Sequence, residues 1–253
     1  MNIQTINIAI QDGNFEKAVQ MCTEILNKFS QKINTEELKS ISEAEVLFRR
    51  GYAYFKLQEF QKSLNDYNLS IQKAENPNVY SERGVLYFTV GKLSEALVNM
   101  NIALDLEPNN SYRYSSRAYI RAAAGMIVLA MQDYRKAVEL DPQDAVAHNN
   151  LGLLEEKVGY QLKADKRFEK ADKLRKEQEK ESQMLTQKEN TEISQIEENQ
   201  LKNDNSNIVL NQDSTNELGQ KPKTYQDALK HIFSSKEAFT NALKKAREVY
   251  FKK

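Results

Sequence analysis

Between residues 43 and 175 apolar positions return every three or four residues, in runs of about a dozen broken by glycine- or proline-bearing turns, the period of amphipathic helices. One run, LFRRGYAYF at 47–55, carries two apolar stripes: Leu47, Gly51 and Tyr54 on one, Phe48, Tyr52 and Phe55 on another. A helix that covers one core needs a single stripe. The second stripe therefore needs a reason of its own.

The runs repeat. Gly84, Ala118 and Gly152 stand 34 residues apart, and Gly51 lies 33 before Gly84. The same step links Ser63, Ala96, Ala130 and Ala164, then Tyr67, Met100, Tyr134 and Phe168, then Ser70, Ala103, Ala137 and Ala171. Gly91, Gly125 and Gly159 mark a turn seven residues after each small residue, and Pro108 and Pro142 close units in LDLEP and VELDP. Small, large aromatic, small is what two antiparallel helices need where they approach closely and fill the gap with a ring.

This pattern resembles the tetratricopeptide repeat family, most clearly over YSERGVLYFTVGKLSEALVNMNIALDLEP at 80–108, with Gly84, Ala96, Tyr87 and Pro108 in the family's columns. The resemblance implies an all-α, right-handed solenoid of antiparallel helix pairs, each with a helix A and a helix B. Four such repeats are expected over 35–181, the last helix running on past Lys176, where a proline would close the unit. A divergent helical hairpin is expected over 1–34, because Gly13, Ala18 and Cys22 match the turn, small and large columns. The extra residues around QKINTEELKSI are expected to lengthen a helix, with Ser42 and Glu45 as a capping box for the next one.

Residues 182–222 lose periodicity and consist mainly of Asn, Gln, Glu and Ser, with Ile208, Val209 and Leu210 as their one apolar cluster. So little apolar area does not offset the entropy of ordering, and the segment reads as a disordered acidic linker. Helical spacing returns over 223–253, where Leu229, Ile232, Phe233, Phe239, Leu243 and Tyr250 mark the apolar face of basic amphipathic helices. Residues 221–253 carry nine Lys or Arg against three acids, net +6, whereas 176–220 carry four lysines against ten acids, net −6.

Over the whole chain of 253 residues 36 basic and 36 acidic side chains cancel, so bulk charge points to no polyanionic partner. A single cysteine, Cys22, allows no internal disulfide and reads as core. With no basic start followed by a long apolar run, and no membrane-length apolar stretch, the expected location is cytoplasmic. No catalytic constellation stands out: His148 and His231 lie in different segments without metal-ligand spacing, and no glycine-rich phosphate loop occurs. The chain is read as no enzyme, with no cofactor and no metal. Arg50, Arg83 and Arg117 each precede a small residue of a helix A. They form either a strip for acidic or phosphorylated partners or, with Asp66 and Asp133 fifteen or sixteen residues on, ion pairs between helices.

In the family that this chain resembles, A helices line the concave face and contact ligand. Carried over, that groove is Phe48, Tyr52 and Phe55; Ser81, Val85 and Phe88; Ser115, Tyr119 and Ala122; and Asn149 and Leu153. The carboxylate-clamp co-chaperones of that family place lysine, asparagine and arginine at comparable positions; here Phe48, Tyr52, Ser115 and Tyr119 stand there, which argues against a clamp for acidic chaperone tails. These aromatics are either extra packing between curling A helices or a site for an apolar or amphipathic peptide. The reading taken is a protein-interaction scaffold or adaptor whose partner is another protein or peptide. The C-terminal helix is a candidate occupant in cis, since a flexible linker of ~40 residues spans ~35 Å. The alternative is a peripheral membrane or nucleic-acid tether through the basic C-terminal segment, whose aromatics suit an apolar face better than base stacking.

Overall fold

The computed structural model describes residues 3–31, 33 and 40–203. Among them are ten α-helices and no strand: α1 (Ile3–Gln11), α2 (Phe15–Ser30), α3 (Glu43–Lys56), α4 (Phe60–Lys73), α5 (Pro77–Thr89), α6 (Leu93–Leu106), α7 (Ser111–Ala123), α8 (Ile127–Leu140), α9 (Ala145–Lys157) and α10 (Gln161–Asn203). Odd-numbered helices are the A helices and even-numbered ones the B helices of five hairpins.

The five A-to-B turns share one construction. Gly13, Gly91, Gly125 and Gly159 have φ between 74° and 86°, the left-handed region in which a Cβ is costly. The next residue donates its N–H to a carbonyl five residues back, as in Lys92 to Tyr87 at 2.8 Å and Tyr160 to Glu155 at 2.8 Å, which satisfies an orphan carbonyl of helix A. In the first of the four clear units Gln58 takes this place with φ 61°.

The small-residue columns set how closely each pair packs. A Cβ added at Gly51 would meet the Tyr67 ring at 2.8 Å, and one at Gly152 would meet the Phe168 ring at 2.8 Å. Tyr67 and Tyr134 are buried, as are Ala96, Ala130, Ala164 and Ala171 beside them in the columns. The core is a series of clusters, as expected for units that each bury their faces against neighbours. Ile6, Cys22, Ile25 and Val46 join the first hairpin to α3. Tyr67, Val79 and Leu86 join α4 to α5. Met100, Ile120, Tyr134, Leu151 and Leu154 run through the later units. Burial pushes the Cys22 thiol up to about 12, so this cysteine is an inert core residue.

A helices of neighbouring hairpins touch at α1–α3, α3–α5 and α5–α7, while no pair of B helices makes a comparable contact. The stack therefore curves with the A helices on the inside.

Two expectations are corrected. Ser42 is the N-cap residue of α3, but its side chain makes no capping bond, and Glu45 is 2.9 Å from Arg49 instead of closing a box. The signal that does recur is Asn76, Asn110 and Asp144, 34 apart, each capping a helix A through its side chain, Asp144 with two backbone N–H groups at 3.0 Å. Second, α10 continues to Asn203, so residues 182–203 are helix where the sequence predicts disorder. No Gly or Pro occurs between Gly159 and Gly219, and Glu, Lys and Gln propagate a helix already nucleated by packing, with no need of an apolar stripe. The helix leaves the body near Gln178, whose side-chain amide donates to the Gln143 carbonyl at 3.4 Å. The remaining linker, including Ile208–Leu210, and the whole 223–253 segment lie outside the described residues, as does most of the QKINTEELKSI stretch.

Candidate functional site: the concave face of the A helices

The eleven groove positions inferred from the sequence divide in two. Tyr52, Ser81, Tyr119, Ala122 and Asn149 are buried, each at most 9% exposed. Phe48, Phe55, Val85, Phe88, Ser115 and Leu153 are half-buried. The Phe48 ring lies 6.1 Å from Tyr67, and both Phe48 and Phe55 pack on the Val79–Leu86 cluster of the next unit. Phe55 lies 6.0 Å from Phe60. Tyr52 meets Phe15 of the first hairpin edge-on at 6.4 Å, and Phe88 meets Tyr119 edge-on at 5.9 Å across two repeats. Edge-to-face pairs of this kind contribute ~0.5–1.5 kcal/mol beyond area burial. The second stripe of LFRRGYAYF is thus partly a seam between units. Its half-buried rings also form the inner surface.

Ser115 lies on the same surface; its Oγ has no hydrogen-bond partner, and it lines a small, partly open cavity of about 20 Å³ with Tyr112, Tyr134 and Asn150. That is room for about one water. The candidate cis face Leu229, Ile232, Phe233, Phe239, Leu243 and Tyr250 lies outside the described residues.

Two charged residues of this region were not singled out from the sequence. Arg113 at the start of α7 is 2% exposed yet fully engaged: it donates to Ser81 Oγ at 2.6 Å, Glu107 at 2.6 and 2.8 Å, Asn78 at 3.1 Å and the Pro77 carbonyl at 3.1 Å. It locks α7 onto α5. Glu82, next to Ser81, is 1% exposed and its Oε2 has no hydrogen-bond partner. Burial pushes its carboxyl up to about 8, against the opposing pull of Lys56 and Arg113. The repeat places the pair only through the column positions they share with other A helices, and in one sequence nothing marks a buried acid as different from a solvated one.

The arginine ladder is interhelical. Arg50 grips Asp66 with two bonds at 2.7 and 2.8 Å, and Arg117 grips Asp133 at 2.8 and 2.9 Å, with Arg121 adding a third at 2.7 Å. Arg83 finds the amides Asn99 at 2.8 Å and Asn68 at 2.7 Å instead. Each guanidinium also stands within 6 Å of a tyrosine ring one turn away, Tyr54, Tyr80 or Tyr114. A guanidinium fork so occupied has little left to offer a partner.

His148 packs between α9 and α10, its Nε2 3.2 Å from the Pro142 carbonyl, and burial lowers its pKa. Among the described residues no cluster of His, Cys, Asp and Glu could hold a metal ion, and no helix is long and apolar enough to cross a membrane.

Two family profiles fall on this scaffold. The one described as Tetratricopeptide repeat matches residues 44–75, covering α3 and α4, and the one described as TPR repeat matches residues 119–159, from α7 to the end of α9. The chain is a tetratricopeptide-repeat protein. Solved structures with a similar fold include a crystal structure of MamA (18% identity, TM-score 0.57, covering 71% of this TPR chain and 98% of that one). MamA from Desulfovibrio magneticus RS-1 is similar too, at 17% identity and TM-score 0.55, covering 69% and 93%. YrrB matches at 19% identity and TM-score 0.51, covering 68% and 84%. No curated protein matches the chain at a significant level. At these identities the likeness carries the TPR fold and no more.

Proposed function

We propose that this protein is a non-catalytic interaction scaffold that holds an apolar or amphipathic peptide along the inner face of its A helices. The observation that carries the reading is the row of half-buried aromatic and aliphatic side chains, Phe48, Phe55, Val85, Phe88 and Leu153, on helices that the curvature turns inward. Rings that keep part of their surface in contact with solvent gain ~25 cal/mol per Å² when a ligand covers the rest. A helix laid in such a groove is read through anchors at i, i+3, i+4 and i+7. YrrB, of similar fold, is a TPR protein with an unusual peptide-binding site, which supports a peptide as the class of ligand. The face offers no lysine–asparagine pair at Phe48 and Tyr52 and no lysine–arginine pair at Ser115 and Tyr119, so an acidic chaperone tail fits it poorly.

Panning a random peptide library against the full chain tests the reading. The expected winners are amphipathic sequences with apolar residues at helical spacing, whose binding falls at least tenfold in Phe88→Ser while the far-ultraviolet circular dichroism is kept. Winners that bind Phe88→Ser and Phe55→Ser as well as the parent would place the site elsewhere.

A further inference from the structure

Glu82 is the charged group on this face that the scaffold does not explain. It is a glutamate on α5, 1% exposed, with one carboxylate oxygen unpartnered. Its electrostatic neighbours are Tyr52 and Lys56 on α3, Tyr67 on α4, and Tyr112 and Arg113 on α7, which places it among three A helices and the B helix α4. Lys56 and Arg113 both pull on it across space, but neither donates a hydrogen bond to Oε2. The Arg113 nitrogens are taken by Glu107, Ser81, Asn78 and the Pro77 carbonyl. The Lys56 ammonium stands 5.3 Å over the Tyr52 ring. A buried carboxylate without a hydrogen-bonded cation is costly, and one that obtains it together with apolar contacts becomes an anchor.

The chain's own C-terminal segment offers that chemistry. Residues 221–253 carry net +6. At helical spacing Phe239, Leu243, Ala246 and Tyr250 share one stripe. Arg247 is four residues from Leu243 and three from Tyr250, so it flanks that stripe, while Lys244 and Lys245 fall well away from it. An Arg at the edge of a buried stripe enters the groove with the stripe, and its fork suits a carboxylate.

We propose that residues 223–253 occupy the inner face in cis and that Arg247 is the counter-ion of Glu82. This rests on the peptide-groove reading above. Reach permits it. Beyond Gln178, α10 carries the chain ~38 Å at 1.5 Å per residue. Residues 204–222 can return ~65 Å when extended, and a helix from 223 to 247 adds ~36 Å. Tethering supplies an effective concentration on the order of millimolar, so modest affinity suffices. A partner peptide must then displace a basic helix, and the groove selects cationic amphipathic ligands.

Hydrogen exchange of residues 223–253 in the intact chain tests the pairing. Protection is expected in the parent; Glu82→Gln and Arg247→Gln should each lower it about tenfold, and the double variant by little more than either alone. Arg247→Gln lies outside the repeats, so its effect does not depend on how the scaffold tolerates change at Glu82. Three results would overturn the inference: free exchange of the segment in the parent, single losses that multiply in the double variant, or protection that rises with protein concentration. If Phe88→Ser abolishes protection while both charge variants leave it intact, the groove stands and the charge pairing fails. If the segment is free but library peptides still need Phe88, the groove stands and the cis occupant fails.

Discussion

The three arginines of the ladder make chemically graded contacts, and the grading yields a quantitative expectation. Arg50→Met keeps most of the aliphatic stem and removes the fork, leaving Asp66, 5% exposed at its side chain, without either of its two bonds. Stranding a buried carboxylate costs ~3–5 kcal/mol, reduced here to ~2–4 because Arg50 is itself partly exposed. Arg117→Met strips the same two bonds from Asp133 but leaves Arg121 at 2.7 Å, so about 1–2 kcal/mol is expected. Arg83→Met strands amides and no charge, and its loss should be about 1–2 kcal/mol as well. Urea denaturation followed by circular dichroism reads all three. The decisive comparison is Arg117→Met combined with Arg121→Met, which should cost more than the sum of the singles because only then is Asp133 left alone. Equal losses at the three arginines would refute the reasoning. So would no loss at any of them, the result expected of a strip built to bind acidic partners.

Three further outcomes follow from the same geometry. Gln58 holds a left-handed turn that its counterparts Gly91, Gly125 and Gly159 give to glycine, so Gln58→Gly should raise stability by about 0.5–1 kcal/mol, read as a higher urea midpoint. Gly152→Ala places a methyl 2.8 Å from the Phe168 ring and 3.1 Å from the Arg167 side chain, and should cost about 1–3 kcal/mol in the same assay. In an Arg247→Gln chain Glu82 keeps a carboxyl pushed up to about 8 by burial, from 4.5. It then holds its proton in the fold and loses it on unfolding between those pH values, so stability should fall as pH rises from about 4.5 to 8, by at most ~5 kcal/mol. Adding Glu82→Gln should flatten that slope, and an unchanged slope would assign it to other groups.

The repeat made the scaffold legible because close packing of two helices demands a small residue at one place and a ring at another, and these recur at a fixed step. Gly51 against Tyr67 and Gly152 against Phe168 could be read from spacing alone. The capping column Asn76, Asn110 and Asp144 is equally present in the sequence, but Asn and Asp are common in turns of every kind, and the Ser–Glu box at Ser42 is the more specific local pattern. The extension of α10 was hidden for a different reason. Missing apolar area predicts disorder, yet a helix continued from a packed start needs only propensity and freedom from Gly and Pro. The groove was legible as a stripe but not as a surface. Spacing assigned Phe48, Tyr52 and Phe55 to one face, but how much of each ring is covered depends on curvature, which no local pattern encodes. Glu82 shows the same limit in electrostatics: its letter matches dozens of solvated carboxylates, and only the fold buries it.

Everything proposed for this protein depends on occupation of the inner face by an amphipathic segment. Replacing Phe88 by a photo-cross-linking phenylalanine analogue in the intact chain, irradiating, and mapping the products by mass spectrometry addresses this directly. The expected product joins position 88 to an apolar residue of 223–253, or, when an amphipathic peptide is added in excess, to that peptide in its place. Cross-links confined to α5 and α7, unchanged by added peptide, would contradict the account.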